Sequence, residues 1–143
     1  DYATEPKRKV YMMFTSYEEV GHGAASSIPD EVTEIISVDM GAIGEGLNSD
    51  VYSVSICAKD SGGPYDYEVV SKLIKAANIA QVSYTVDIYP FYGSDVESSL
   101  RAGYDIKHGL IGPGVYASHG YERTHIDAIE ATLKLLQTFV EMD

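Results

Sequence analysis

Residues 51–89 read VYSVSICAKDSGGPYDYEVVSKLIKAANIAQVSYTVDIY, and this stretch decides the fold. Its first part, Val51–Ala58, alternates apolar and polar residues with the period of a strand. The next residues, Ala58–Pro64 (AKDSGGP), have loop chemistry: Gly62 and Gly63 free the backbone, and Pro64 suits a helix start. From Tyr65 to Ala80 the pattern changes, with Val69, Val70, Leu73, Ile74 and Ala77 recurring at helical spacing. Val82–Tyr89 (VSYTVDIY) returns to strand character. Strand, helix and strand in this order predict a unit whose two strands run parallel, because only a crossover connection lets them do so.

Outward from this unit the alternation continues. Lys9–Ser16 (KVYMMFTS) is a continuous apolar run bounded by charge, as expected for a strand buried on both faces. Gly21–Ser27 predicts a turn into a short helix, and Glu34–Met40 (EIISVDM) a second buried strand. Gly93–Gly103 reads as a short helix capped by Ser94 and closed by Gly103, Ile106–Ile111 as a further strand, and Gly112–Arg123 as a polar, Gly-rich loop. Thr124–Met142 reads as the last helix: Thr124 caps it, and Ile126, Ile129, Leu133, Leu136 and Val140 form one stripe. There are no repeats or low-complexity tracts. The expectation is one domain of α/β class, a three-layer α/β/α sandwich around a mostly parallel, mixed sheet. In such sheets ligands gather beyond the carboxyl ends of the strands.

Composition narrows the function. The 143 residues are 45% hydrophobic and carry a net charge of −12, a field that repels nucleic acid and suits an acidic cleft with divalent cations. No run of 18 apolar residues predicts a membrane span. The polar start, Asp1 to Lys9, is unlike a signal peptide, and the lone Cys57 cannot form an internal disulfide, so a reducing cytoplasm is expected. Cys57 itself reads as a small buried hydrophobe.

Three strand ends carry acidic or imidazole groups. Glu18 and Glu19 follow the first strand, Asp39 ends the second, and His119 lies in the loop after the last. Two carboxylates and an imidazole are donors that zinc accepts. Neighbouring residues past a strand can point differently, so one of Glu18 and Glu19 can bind metal while the other takes a proton from water. The dipeptide alone reads equally as a solvated acidic turn. Ser118 beside His119 does not make a serine hydrolase, since no G-x-S-x-G elbow is present. Gly62-Gly63-Pro64 lacks the Lys-Ser/Thr ending of a phosphate loop and reads as a turn.

Residues 14–24, FTSYEEVGHGA, resemble the EExG…GA segment of the M42 family of metallo-aminopeptidases. Further segments are similar in the same order: Ser37-Val38-Asp39, Gly62-Gly63-Pro64, Tyr92-Gly93-Ser94-Asp95, and Ser118-His119 with Glu122. The resemblance covers nearly the whole chain and implies a zinc-peptidase-like fold. It implies that Glu18 is the general base, that Glu19 binds one metal and Asp39 the other, and that His119 completes the site. Two divalent ions, zinc or cobalt, about 3.5 Å apart would polarise the scissile carbonyl of a peptide substrate and share a nucleophile. Asp95 either lines the substrate pocket, as in the family, or is a first-turn helix acid. Glu122 either orients His119 or pairs with Arg123.

Two family features are not found. The HxD motif that supplies a metal-binding His and the DD segment that supplies a bridging Asp have no counterpart; His125-Ile126-Asp127 is misplaced and reads as surface or capping chemistry. The inserted dimerisation domain is also missing. The expectation is therefore the C-terminal portion of an M42-type catalytic domain over residues 1–143, starting without Met at the edge of a strand. Bound metal is expected to be partial or lacking and the isolated chain inactive. Self-association, through Lys9–Ser16 or another exposed edge, is expected too. The competing reading is a non-catalytic α/β binding or assembly module that retains part of the motif.

Overall fold

The computed structural model describes residues 6–142. Residues 51–89 form β3 (Val54–Asp60), β4 (Gly63–Pro64), α1 (Tyr67–Ala80) and β5 (Tyr84–Ile88), preceded by β1 (Glu34–Val38) and β2 (Gly41–Ala42). The chain continues with α2 (Asp95–Arg101), β6 (Lys107–Val115) and α3 (Ile126–Glu141). β3 and β5 are parallel neighbours, with Val54 opposite Tyr84 and Cys57 opposite Asp87 before a register shift at Lys59. β6 lies antiparallel on the other side of β3, and β1 and β2 run parallel to β6. The sheet is mixed, and three of its five pairings are parallel. The expected α/β class holds.

α1 begins where Asp66, not Pro64, caps it: the Asp66 carboxylate accepts the Val69 N–H at 3.0 Å. Pro64 instead sits in β4, paired with Lys59. Val69, Leu73, Ala76 and Ala77 are fully buried, each large one stabilising the fold by roughly 1.5–3 kcal/mol relative to exposure. The close approach of α1 to the sheet requires Gly109, where a Cβ would stand 2.7 Å from Val69 Cγ1.

Several local expectations are corrected. α3 is present, but it buries Ala128, Ala131, Thr132, Leu135 and Phe139, whereas Ile126, Ile129 and Leu133 are exposed. The stripe is rotated because the small Ala128 and Ala131 let α3 approach its neighbours, with Leu135 and Phe139 filling the same buried face. His125 caps this helix, accepting the Asp127 N–H at Nδ1, while the Thr124 hydroxyl donates to the Gly114 carbonyl. Residues 21–27 form turns and no helix, and β6 extends to Val115, taking in the first residues of the expected loop.

The largest departure is Lys9–Ser16. Among the described residues it joins no ladder, and Val10, Met12, Met13 and Phe14 are exposed, the last by 89%. Polar contacts fix its course beside the sheet. Arg8 donates to Glu34 Oε2 at 2.6 Å and to the Met142 carbonyl, and it stacks over the Phe139 ring. Lys9 and Tyr11 both reach Glu31, and the Thr15 hydroxyl donates to Asp95. The segment therefore leads from the start of β1 to the neighbourhood of its far end.

Candidate active site

That path ends in a single 3-10 turn, Glu18–Val20. Tyr17 enters it with a left-handed φ of 62° and Gly21 leaves it at 78°, donating its N–H to the Glu18 carbonyl at 2.9 Å. The Tyr17 carbonyl accepts the N–H groups of His22 and Gly23, and the Ser98 hydroxyl of α2 donates to the Gly21 carbonyl at 3.1 Å, so backbone bonds close this tight turn and α2 anchors it. It holds two adjacent carboxylates, Glu18 half-buried and Glu19 exposed.

Glu18 shares its surroundings with four other site candidates. Burial raises its pKa first, and the neighbouring Asp39, Asp95 and Glu19 raise it further, while His119 acts in the opposite direction. The five residues come from the 18–20 turn, the end of β1, the start of α2 and the loop after β6. The fold thus brings together groups separated by about a hundred positions in sequence.

Each member has its own support. Asp39 follows β1 and donates its N–H to the Ile111 carbonyl at 2.9 Å. Burial raises its pKa; hydrogen bonds from the Tyr92 hydroxyl and the Met40 N–H act against that, and Glu19 and Asp95 add to it. Glu19 Oε2 lies 3.3 Å from His119 Nε2. His119 itself has a left-handed φ of 62° in a loop clasped by mutual backbone bonds between Tyr116 and Arg123. Glu122 Oε1 accepts the His119 backbone N–H at 3.1 Å, so it fixes the loop at the main chain and not through the imidazole. Asp95 opens α2, and its second oxygen, Oδ1, is enclosed without a hydrogen-bond partner. Gly23 makes room for it, since a Cβ there would collide with Oδ1.

A carboxylate facing an imidazole, as Glu19 faces His119, is chemically suited to a divalent cation. The set is nonetheless incomplete: among the described residues no three His, Cys, Asp or Glu side chains stand close enough to hold a metal ion together. The donors present fit part of a coordination shell, with Glu19 and His119 as its formed pair. Tyr92, directly before Gly93-Ser94-Asp95 in sequence, neighbours Asp39, a closeness that motif order alone does not reveal. A cleft of about 530 Å³ lined by Thr33, Asp66, Lys107 and His108 lies at the opposite end of β1 from Asp39 and shares none of these residues.

Comparison with known proteins follows the same lines. The profile of the family described as M42 glutamyl aminopeptidase matches residues 2–135. The chain is 48% identical over 131 residues to "Putative aminopeptidase YhfE" of Bacillus subtilis (strain 168), covering 92% of this chain and 38% of that protein. The PhTET1-12s dodecamer superposes with a TM-score of 0.76 at 21% identity, over 89% of this chain and 40% of that one. An aminopeptidase, APDkam598, from the archaeon Desulfurococcus kamchatkensis gives 0.74 at 20% identity, over 89% and 39%. The last two likenesses speak for the fold. The chain spans well under half the length of each relative.

Proposed function

Because the chain belongs to the M42 glutamyl aminopeptidase family, we propose that it corresponds to the C-terminal portion of a metal-dependent aminopeptidase catalytic domain. Glu18 is the general base, and Glu19, Asp39 and His119 are metal ligands. The observation that carries this reading is the meeting of Glu18 with Glu19, Asp39, Asp95 and His119 from four separate segments. A bound zinc or cobalt pair supplies Lewis acidity toward the scissile carbonyl and lowers the pKa of water. Glu18, half-buried beside the ligands, takes the proton of the attacking water and returns it to the leaving amine nitrogen. Asp95, held by Thr15 and enclosed against Gly23 at the start of α2, supports substrate binding by shaping the floor of the site. Glu122 supports His119 through its backbone.

The ligands found here make part of a site; the one HxD tripeptide, His125-Ile126-Asp127, caps α3 instead, and no DD segment is present in the sequence to complete it. The isolated chain therefore holds metal weakly and has little or no peptidase activity. A homo-oligomeric parent is supported by the dodecameric relative, and a cytoplasmic one by the unpaired Cys57. The test uses aminoacyl-nitroanilides with added zinc or cobalt. The chain alone should give no turnover; turnover that Glu18→Gln abolishes would overturn the claim of inactivity. Placing residues 2–135 in the Bacillus subtilis relative, in place of its matching stretch, should give a chimera whose hydrolysis falls about 10²–10⁴-fold in Glu18→Gln. Unchanged hydrolysis in that variant would overturn the assignment of the base.

A further inference from the structure

We propose that Ser98 of α2 is a positioning residue that holds the Glu18–Glu19 turn in working register, an inference that rests on the role given to Glu18 above. The turn Glu18–Val20 buries none of its own residues, so no apolar side chain of its own pins it to the core. It is entered through Tyr17 at a φ of 62°, a left-handed conformation that a bulky residue keeps only where its surroundings enforce it. The backbone bonds from Gly21 to Glu18, and from His22 and Gly23 to Tyr17, set the shape of the turn, but they join its own residues to one another. The Ser98 hydroxyl joins that main chain to another element, donating to the Gly21 carbonyl at 3.1 Å.

α2 is a fixed platform for this bond. Val96 is fully buried, and the hydroxyl of Ser94, just before the helix, lies 2.7 Å from that of Tyr65, which donates to the buried Asp60 at 2.6 Å. The same helix meets the chain on both sides of the turn: Asp95 accepts from Thr15 before it and fills the space beside Gly23 after it. Two adjacent serines show that the Ser98 contact is not the default for its place on a helix. Ser99, also buried, turns its hydroxyl back to the Val96 carbonyl of its own helix at 2.6 Å, the usual local bond for a helical serine. Ser98 accepts from Arg101 at 3.4 Å and sends its own proton to a residue 77 positions away in sequence. Both carboxylates stand on the turn so held, and a misplacement of about 1 Å costs a reacting group on the order of 10²-fold in rate.

Anchoring and folding separate in amide hydrogen exchange of the whole chain, quenched from milliseconds onward and read by NMR. Ser98→Ala should speed exchange at Gly21, His22 and Gly23 about five- to tenfold, as for one lost neutral hydrogen bond, with the amides of β3 and α1 unmoved. Ser99→Ala, which cuts a bond inside α2, should leave those three amides as in the parent. Unchanged exchange at the three amides in Ser98→Ala, or an equal acceleration across β3 and α1, overturns the anchoring role. In the chimera carrying residues 2–135, Ser98→Ala should lower kcat about 10–100-fold at an unchanged KM, and Ser98→Thr, which keeps a hydroxyl, should recover most of it. A kcat that falls in Glu18→Gln but not in Ser98→Ala overturns the positioning role and spares the base. A kcat that Glu18→Gln leaves unchanged overturns the base assignment and this inference with it.

Discussion

Two apolar runs of similar make-up have opposite fates. Val54–Cys57 in β3 is buried to within 2% at every residue, whereas Val10–Phe14 leaves each side chain at least 41% exposed. Their local sequences give each a claim to a strand. The difference lies in what surrounds them. β3 has β6 on one side and β5 on the other, with α1 and α3 packed against it. Residues 10–14 have no hydrogen-bonded neighbour strand among the described residues and are held by the flanking Arg8, Lys9, Tyr11 and Thr15 contacts. A hydrophobic pattern states what a segment requires, and the rest of the fold decides whether the requirement is met.

The comparison is broken most directly by truncating one side chain from each environment. Leu73 is fully buried on α1, beside Gly109 of the sheet. Leu73→Ala should cost about 2–5 kcal/mol in urea unfolding, the loss of transfer energy plus a cavity. Phe14→Ala should stay within about 0.5 kcal/mol of the parent. A loss at Phe14 approaching that at Leu73 would mean that the segment is packed in solution and that the contrast is false.

How much was legible follows from the same contrast. The strand–helix–strand unit could be read because both its periods are satisfied by neighbours close in sequence. The face of α3 could not, because Ala128 and Ala131 decide its approach by being small, while pattern reading favours Ile129 and Leu133. At the site, the residue types and their order marked Glu18, Glu19, Asp39, Asp95 and His119, and the fold gathers them around Glu18. The contacts that hold them were not legible. The Glu122 carboxylate on the backbone N–H of His119 and the Thr15 hydroxyl on Asp95 both depend on chain directions that no spacing encodes.

Charge sharpens the comparison further. In the packed region, Glu97 of α2 lies over Gly62 and close to the buried Asp60, which accepts from Tyr65 at 2.6 Å. Burial and Asp60 raise the Glu97 pKa from 4.5 to about 7, against the pull of Arg101. A carboxyl whose folded pKa exceeds its unfolded value stabilises the fold fully below the unfolded value, and the contribution fades as pH rises through about 7. Glu97→Gln should therefore flatten the fall in melting temperature between pH 5 and pH 8 and raise it at the upper end by a few degrees. At the exposed segment, Glu31 beside Lys9 and Tyr11 is lowered to about 2, yet all three stand in solvent. Lys9→Ala should leave the same melting profile almost unmoved. Equal pH responses in the two variants would remove the distinction.

The smallest effect concerns association, where stability should not change at all. Met12 and Phe14 expose 80% and 89% of their surfaces, while α3 separately exposes Ile126, Ile129 and Leu133. Either patch can pair copies of the chain, and the net charge of −12 opposes both. The extended segment has the stronger claim, because among the described residues it pairs with no strand while presenting apolar side chains, whereas the backbone of α3 is satisfied within its own helix. Sedimentation across a concentration series should show weak self-association of the parent chain, strengthened by salt as the repulsion is screened. Met12→Ser with Phe14→Ser should shift its midpoint several-fold upward in concentration, at an unchanged melting temperature, and Ile129→Ser should shift it less. The reverse ranking would move the interface to α3, and a monomeric parent at every concentration would show that the exposed run is tolerated by charge alone.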